Sequence, residues 1–246
     1  MSKKINQNQP SVTIVPEAYS QSKNFKSKFS RAKPQSSSVT TGSINLEPKS
    51  DIEFCENLLS DGYVQSYVDF YHLTHRPDPF ESDPLNKMKI NVNIDDMKYI
   101  RDCLVDAESS RRVGNTSSVF ASYIKLANFY FKKLDWKTCI FFHQKCLDVA
   151  QLTSDLRAEM LSNHSLGLVY QEMNDYQTAR NYHERHEEIA ASVDVEEEIA
   201  KANTELYKVY NAIAEHYENN DEIETSIEYH LKCLESSKKS WDKSAG

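Results

Sequence analysis

Three histidines recur behind an aromatic residue, as Phe142-His143, Tyr182-His183 and Tyr229-His230, and imidazoles at repeating positions raise the question of a metal centre. Their separation argues against one shared ion. Residues at equivalent places of stacked helical units lie about one helix layer, roughly 10 Å, apart, whereas zinc holds its ligands at about 2 Å from a single point. His183 and His186 are three residues apart on one helix face and could chelate as a pair. No third ligand, such as a Glu-x-x-His segment, is evident beside them. The preferred reading of both is a buried or seam-lining side chain, and no metal residue is expected.

The five cysteines, Cys55, Cys103, Cys139, Cys146 and Cys233, are odd in number and include no C-x-x-C pair, which predicts reduced thiols. Cys146 and Cys233 stand at the same repeat position, where small apolar side chains pack between helices. There is no Gly-rich phosphate loop, no G-x-S-x-G and no H-E-x-x-H. Glu187-Glu188 and Glu196-Glu197-Glu198 read as solvated helix faces and helix-start charges rather than acid–base pairs. No catalytic residue and no cofactor are expected, so the chain reads as a non-enzyme.

Those residues sit on a recurring frame. Two consecutive forty-residue units, Thr116 to Asp155 and Leu156 to Val195, are followed by a stretched third copy. Leu126-Ala127-x-x-Tyr130 aligns with Leu166-Gly167-x-x-Tyr170 and with Ile213-Ala214-x-x-Tyr217. Nine residues after each Tyr comes a small residue, Cys139, Ala179 or Ser226. A period of this size, joining two amphipathic helices through a polar turn, marks a helical solenoid. The small residue at Ala127, Gly167 or Ala214 lets the first helix approach the second, and Ala179 and its counterparts do the same from the other side. Tyr130, Tyr170 and Tyr217 fill the seam.

These spacings resemble the tetratricopeptide repeat, in which Leu-Gly-x-x-Tyr is followed after eight residues by Ala-x-x-x-aromatic. The chain departs from that pattern in three ways. His143, His183 and His230 occupy the aromatic slot, the usual closing Pro is absent, and the units run nearer forty residues than the usual number, about 34. The fold class expected is all-α, a tetratricopeptide-like helical-hairpin solenoid with a disordered N-terminal tail.

Composition agrees with that frame. Five Gly and seven Pro in 246 residues leave few breaks, and the Pro fall before residue 85. No apolar run reaches the roughly 18 residues of a membrane span, and MSKKINQNQP has no signal core, which predicts a soluble intracellular protein with no membrane partner. The formal charge of -8 divides unevenly: residues 1–50 carry eight Lys or Arg against Glu17 and Glu47, a net of +6, leaving -14 on the rest.

Three regions follow. Residues 1–50, rich in Ser, Lys, Gln and Asn, are expected to be a disordered basic tail. There Lys23, Lys26, Lys28 and Arg31 alternate with Tyr19, Phe25 and Phe29, a mixture suited to an acidic surface. Tubulin is one such surface and nucleic acid a less favoured one; a solvated tail with no binding role is the plain alternative. Residues 51–115 are expected to hold helices around a Pro-rich loop at 76–93. Ile52, Cys55, Leu58, Leu59, Val64, Val68 and Tyr71 recur at helical spacing as one helix or a kinked pair. Met97, Ile100, Leu104 and Ala107 form a further helix that covers the first repeat. Residues 116–246 hold three repeats, and the outer face of the last helix looks unfinished, calling for further repeats or a partner.

Solenoids of this kind bind peptides or helices along the first helix of each pair. The groove positions here are Ile124, Asn128, His164, Leu168 and Gln171. Only Asn128 fits a clamp for an acidic C-terminal peptide, so the groove predicts apolar and aromatic contacts.

Within 51–242, three stretches carry a closer resemblance: Cys55-x-x-Leu58-Leu59-x-Asp61-Gly62-Tyr63, Cys146-Leu147-Asp148-Val149-Ala150-Gln151-Leu152, and Gly167-Leu168-Val169-Tyr170-Gln171-Glu172. On these the chain resembles the tetratricopeptide repeat protein 29 family of cilia and flagella, as an N-terminal half or a short homologue. The resemblance implies a cytoskeletal scaffold of the ciliary axoneme, associated with inner-arm dynein subunits or accessory chains and the tubulin lattice of doublet microtubules. The alternative is a cytosolic adaptor for cargo or dynein assembly.

Overall fold

The computed structural model describes residues 50–75 and 92–242, and among these every regular element is an α-helix. The order is α1 (Asp51–Ser60), α2 (Val64–Thr74), α3 (Ile94–Arg112), α4 (Thr116–Lys132), α5 (Trp136–Thr153), α6 (Leu156–Glu172), α7 (Tyr176–Ser192), α8 (Glu196–Asn219) and α9 (Ile223–Asp242). Packing runs almost wholly between consecutive helices, with α1 against α3 the one substantial exception among the described residues. Nearest-neighbour packing of this kind defines a solenoid. The disorder expected of the tail and the Pro-rich loop both concern residues outside the described ones, except that Ser50 caps α1 by accepting the Glu53 N–H at 3.2 Å.

Each hairpin turn follows one local recipe. After α4 the backbone passes through left-handed Leu134 (φ 59°), and the Asp135 N–H returns to the Tyr130 carbonyl at 3.0 Å. Asn174 (φ 60°) and Asp221 (φ 60°) repeat the conformation, with Asp175 reaching Tyr170 and Glu222 reaching Tyr217, both at 2.9 Å. These bonds satisfy carbonyls that a helix end leaves open. Asp135 and Asp175 then cap α5 and α7, accepting from the N–H of Thr138 and Thr178 at 3.1 Å. The motif Tyr therefore supplies the turn's acceptor as well as a ring.

Leu134 is an expensive occupant of that turn. An L side chain in the left-handed region costs about 1 kcal/mol, and this one is 68% exposed, so burial returns little. Leu134→Gly is expected to raise stability by about 0.5 to 1 kcal/mol. In urea unfolding the midpoint moves up with an unchanged slope.

Ahead of the repeats, Gly62 (φ 80°) divides α1 from α2 and resets their helical register. Consequently no single apolar stripe runs through 51–75. Ile52, Leu59 and Val64 are exposed, while Phe54, Leu58, Phe70 and Leu73 are buried, with the Phe54 and Phe70 rings 5.7 Å apart. α3 begins at the Asn93 cap, buries Met97, Ile100, Leu104 and Ala107, and packs on α4.

One buried polar link ties α2 to α3. Glu108 Oε2 accepts from the Ser66 N–H at 2.8 Å and its hydroxyl at 2.7 Å, while Oε1 accepts from Arg112 at 2.6 Å. Burial alone would raise the Glu108 carboxyl, but the Ser66 and Arg112 bonds outweigh it and hold it below the usual carboxylate range. Glu108→Gln replaces a charged acceptor by a neutral one and is expected to cost about 2 kcal/mol, read from thermal unfolding.

Candidate interaction surface

The seam of each hairpin comes first, because it fixes where the outer surfaces point. Leu126, Ala127, Leu166, Ala214, Cys139, Ala179 and Ser226 are all buried, so the backbones of paired helices approach closely. The motif Tyr then stacks on the residue before each recurring His. Tyr130 lies on Phe142 at 6.0 Å and 13°, Tyr170 on Tyr182 at 5.5 Å and 13°, and Tyr217 on Tyr229 at 5.7 Å and 14°. Three near-parallel pairs in one register are the physical content of the sequence repeat. Gly167 is the tightest point: a Cβ built there would lie 2.4 Å from Cε1 of His183, against the imidazole itself.

The recurring histidines have different surroundings. His143 and His183 are buried, whereas His230 is exposed and pairs with Glu218 at 2.9 Å. Burial pushes His143 down to about 4. It pushes His183 down to about 3, with His186 and Lys208 adding to the effect. His164 goes to about 2, from burial and then from Lys201, His186, His183 and Lys208. Burial also pushes the Cys139 thiol up to about 12 and raises Cys146 and Cys233, so these thiols stay protonated and unreactive at neutral pH.

Of the groove positions, Ile124 and Asn128 on α4 and Leu168 and Gln171 on α6 are half-buried, so each keeps part of its side chain open. Gln171 Nε2 reaches Glu205 on α8 at 3.5 Å. His164 is placed otherwise. It stands three residues before Gly167, on the helix face that meets α7, and it is buried with its ring 5.8 Å from that of His183 and 5.4 Å from that of His186. Sequence reasoning left the His183–His186 pair without a third imidazole; the structure puts His164 beside both. Lys23, Lys26, Lys28 and Arg31 lie outside the described residues.

Two surfaces were not resolved residue by residue from the sequence. α9 has two apolar faces: Tyr229 and Cys233 are buried against the preceding helices, while Ile223, Ile227, Leu231 and Leu234 are 54%, 54%, 61% and 53% exposed. Those four recur at i, i+4, i+8 and i+11, a stripe about 17 Å long at the helical rise. The unfinished outer face is this stripe, and the spacing was legible in the sequence once α9 was given its register. The second is an open cleft of about 690 Å³ between α2 and α5, lined by Leu73, Thr138, Phe141 and Lys145 among others. Lys145 Nζ lies 4.8 Å above the Phe141 ring there. Nothing local announces this cleft, because its walls are more than sixty residues apart.

Among the described residues, no helix is long and apolar enough to cross a membrane. No curated protein matches the chain. Residues 118–192, the span of α4 to α7, match the family model of the tetratricopeptide repeat. That match agrees with the stacked seams and in-register turns described above, and α8–α9 extends the same hairpin geometry beyond it. The chain thus carries tetratricopeptide repeats over residues 118–192, a unit whose general work is to bind protein partners.

Proposed function

We propose that this protein is a non-catalytic scaffold of the ciliary axoneme, holding dynein subunits or their accessory chains on doublet microtubules. The observation that carries the scaffold reading is the exposed α9 stripe of Ile223, Ile227, Leu231 and Leu234. A helix that is apolar on two faces, one of them already packed, presents the other as a contact surface. Its i, i+4, i+8 spacing suits an amphipathic helix of another chain laid alongside it. The half-buried groove residues Ile124, Asn128, Leu168 and Gln171 offer a second, shallower contact line. Placement in the axoneme rests on the resemblance carried by residues 55–63, 146–152 and 167–172. The charge division supports it: a +6 segment at residues 1–50 suits the acidic tubulin lattice, and a body of -14 suits basic partner chains.

Fractionation of isolated cilia tests the placement. The protein is expected to stay with the axoneme through detergent extraction and to leave with dynein at high salt, since its lattice contact is electrostatic. Release with the detergent-soluble matrix would overturn the axonemal reading in favour of a transport or assembly adaptor.

A further inference from the structure

His164 of α6 and His183 and His186 of α7 bring one ring nitrogen each to within 4.8 Å of one another, inside the second hairpin. Among the described residues this is the one trio of His, Cys, Asp or Glu side chains so placed that is buried throughout. Nδ1 of His164, Nδ1 and Nε2 of His183 and Nδ1 of His186 have no hydrogen-bond partner. Buried polar atoms are ordinarily paired, and a cluster of unpaired ones calls for an explanation.

The fourth participant orders the cluster. His186 Nε2 lies 2.8 Å from Glu198 Oε2, at the start of α8. A carboxylate accepts, so Nε2 is the donor, and Nδ1 of His186, buried with no hydrogen-bond partner, is the nitrogen left to ligate. A carboxylate behind an imidazole is the usual outer support of a metal-bound histidine. Burial favours the neutral form of His164 and His183, the form that ligates.

Distances agree. A point equidistant from three atoms mutually within 4.8 Å lies at most about 2.8 Å from each, and zinc–nitrogen bonds are about 2.0 to 2.1 Å. Ring movements of about 0.7 Å close the difference, well within small side-chain rotations. Two cations on α8, Lys201 and Lys208, act on the cluster electrostatically from partly exposed positions. Lys201 pairs with Glu198 at 3.6 Å and Lys208 with Glu205 at 2.8 Å, so each is countered.

Repeat register adds an independent point. The positions of His164, His183 and His186 are filled by Ile124, His143 and Cys146 in the first hairpin and by Asn211, His230 and Cys233 in the third. Packing at these positions therefore does not require histidine. Only the second hairpin assembles three imidazoles.

We propose that His164, His183 and His186 bind one divalent transition-metal ion, with zinc the ion best suited to three imidazoles and one further ligand, and that the ion staples α6 to α7. The role is structural, and it does not depend on which partner the scaffold holds.

The test uses the full chain, stripped with chelator and titrated with zinc chloride, then with cobalt as a visible probe. One equivalent is expected to bind. At a hundredfold excess over Kd the melting temperature should rise by about 5 °C or more, and cobalt should show the intense visible bands of a four-coordinate site. His164→Ile copies the first hairpin and is expected to fold while losing at least about a hundredfold in zinc affinity, since one of three ligands is gone. No thermal shift and no binding heat for the parent chain would overturn the site, as would an equal shift in His164→Ile. Should that variant fail to fold, Glu198→Ala leaves all three rings in place. Zinc binding weaker by about 10- to 100-fold then supports the site, and unchanged affinity overturns it.

Discussion

Gly167→Leu is expected to lower stability by about 3 kcal/mol or more, the upper range for forcing bulk into a closed seam. The reason is local. Even a bare Cβ at residue 167 would stand 2.4, 2.5 and 2.8 Å from Cε1, Nε2 and Cδ2 of His183. Those are atoms of a rigid buried ring, which has no loose end to swing aside, and behind it the hairpin is closed by Tyr170 on Tyr182. For a chain of this length the loss is expected as a fall in melting temperature of about 6 °C or more. Gly167→Ala is expected to cost about 1 to 3 kcal/mol. Combining it with His183→Ala should return part of that loss, because the clash then has no second party. An unchanged melting temperature in Gly167→Leu would contradict the close α6–α7 contact.

His143→Phe is expected to remove one of the contributions of buried histidines to the protein's sensitivity to mild acid, that of the first hairpin. His143 is buried in the first hairpin, its Nδ1 meets no hydrogen-bond partner, and burial holds it down at about 4, against about 6.5 in an unfolded chain. Above pH 6.5 both states are neutral and the difference contributes nothing. Below it the unfolded chain takes up a proton that the folded chain refuses, so stability falls by about 1.4 kcal/mol per pH unit until the folded value is reached. Between pH 6.5 and 4.5 the loss from this residue alone is about 2 to 3 kcal/mol. Phe restores the aromatic that tetratricopeptide repeats carry in that slot and has no proton to gain. Urea unfolding of both chains at stepped pH isolates the residue, since every other titrating group is common to the two. Parallel pH curves would show that His143 is protonated in the folded state.

What the sequence made legible was whatever it records at short range. Each hairpin is written within about thirty residues: a small residue facing the partner helix, a Tyr three later, a polar turn and an aromatic twelve residues after that Tyr. The three stacked pairs at Tyr130, Tyr170 and Tyr217 follow from it. So do the Asp135 cap and the long α8, which needed only a count of residues between the motifs. The face of α1 and α2 was harder to read because Gly62 resets the register, putting Phe54 and Phe70 inside and Ile52 and Val64 outside. Ser66 and Glu108 are 42 residues apart, and no local pattern announces their bond.

The imidazole cluster falls between these cases. Counting along α6 puts His164 among the groove positions, yet its side chain turns to α7. Its place three residues before Gly167 was the available signal, since side chains at that spacing share a helix face. His186 carried another, standing where the first and third copies have Cys146 and Cys233. Read together, the two offsets direct three rings into one seam. The axonemal placement has no comparable geometric signal in the chain and rests on resemblance and charge.

The central claim is that this solenoid works by holding other proteins along its α9 edge and its groove. Cross-linking mass spectrometry on intact axonemes tests it most directly, because Lys232 and Lys239 on α9 and Lys125 on α4 are exposed on the helices that carry the two surfaces. The account predicts reproducible links from the α9 lysines to a helix of a dynein subunit or accessory chain, reduced when Ile227 and Leu231 are both changed to Asp. Links confined to this chain alone, with both the parent and the double variant recovered as free monomer, would contradict it.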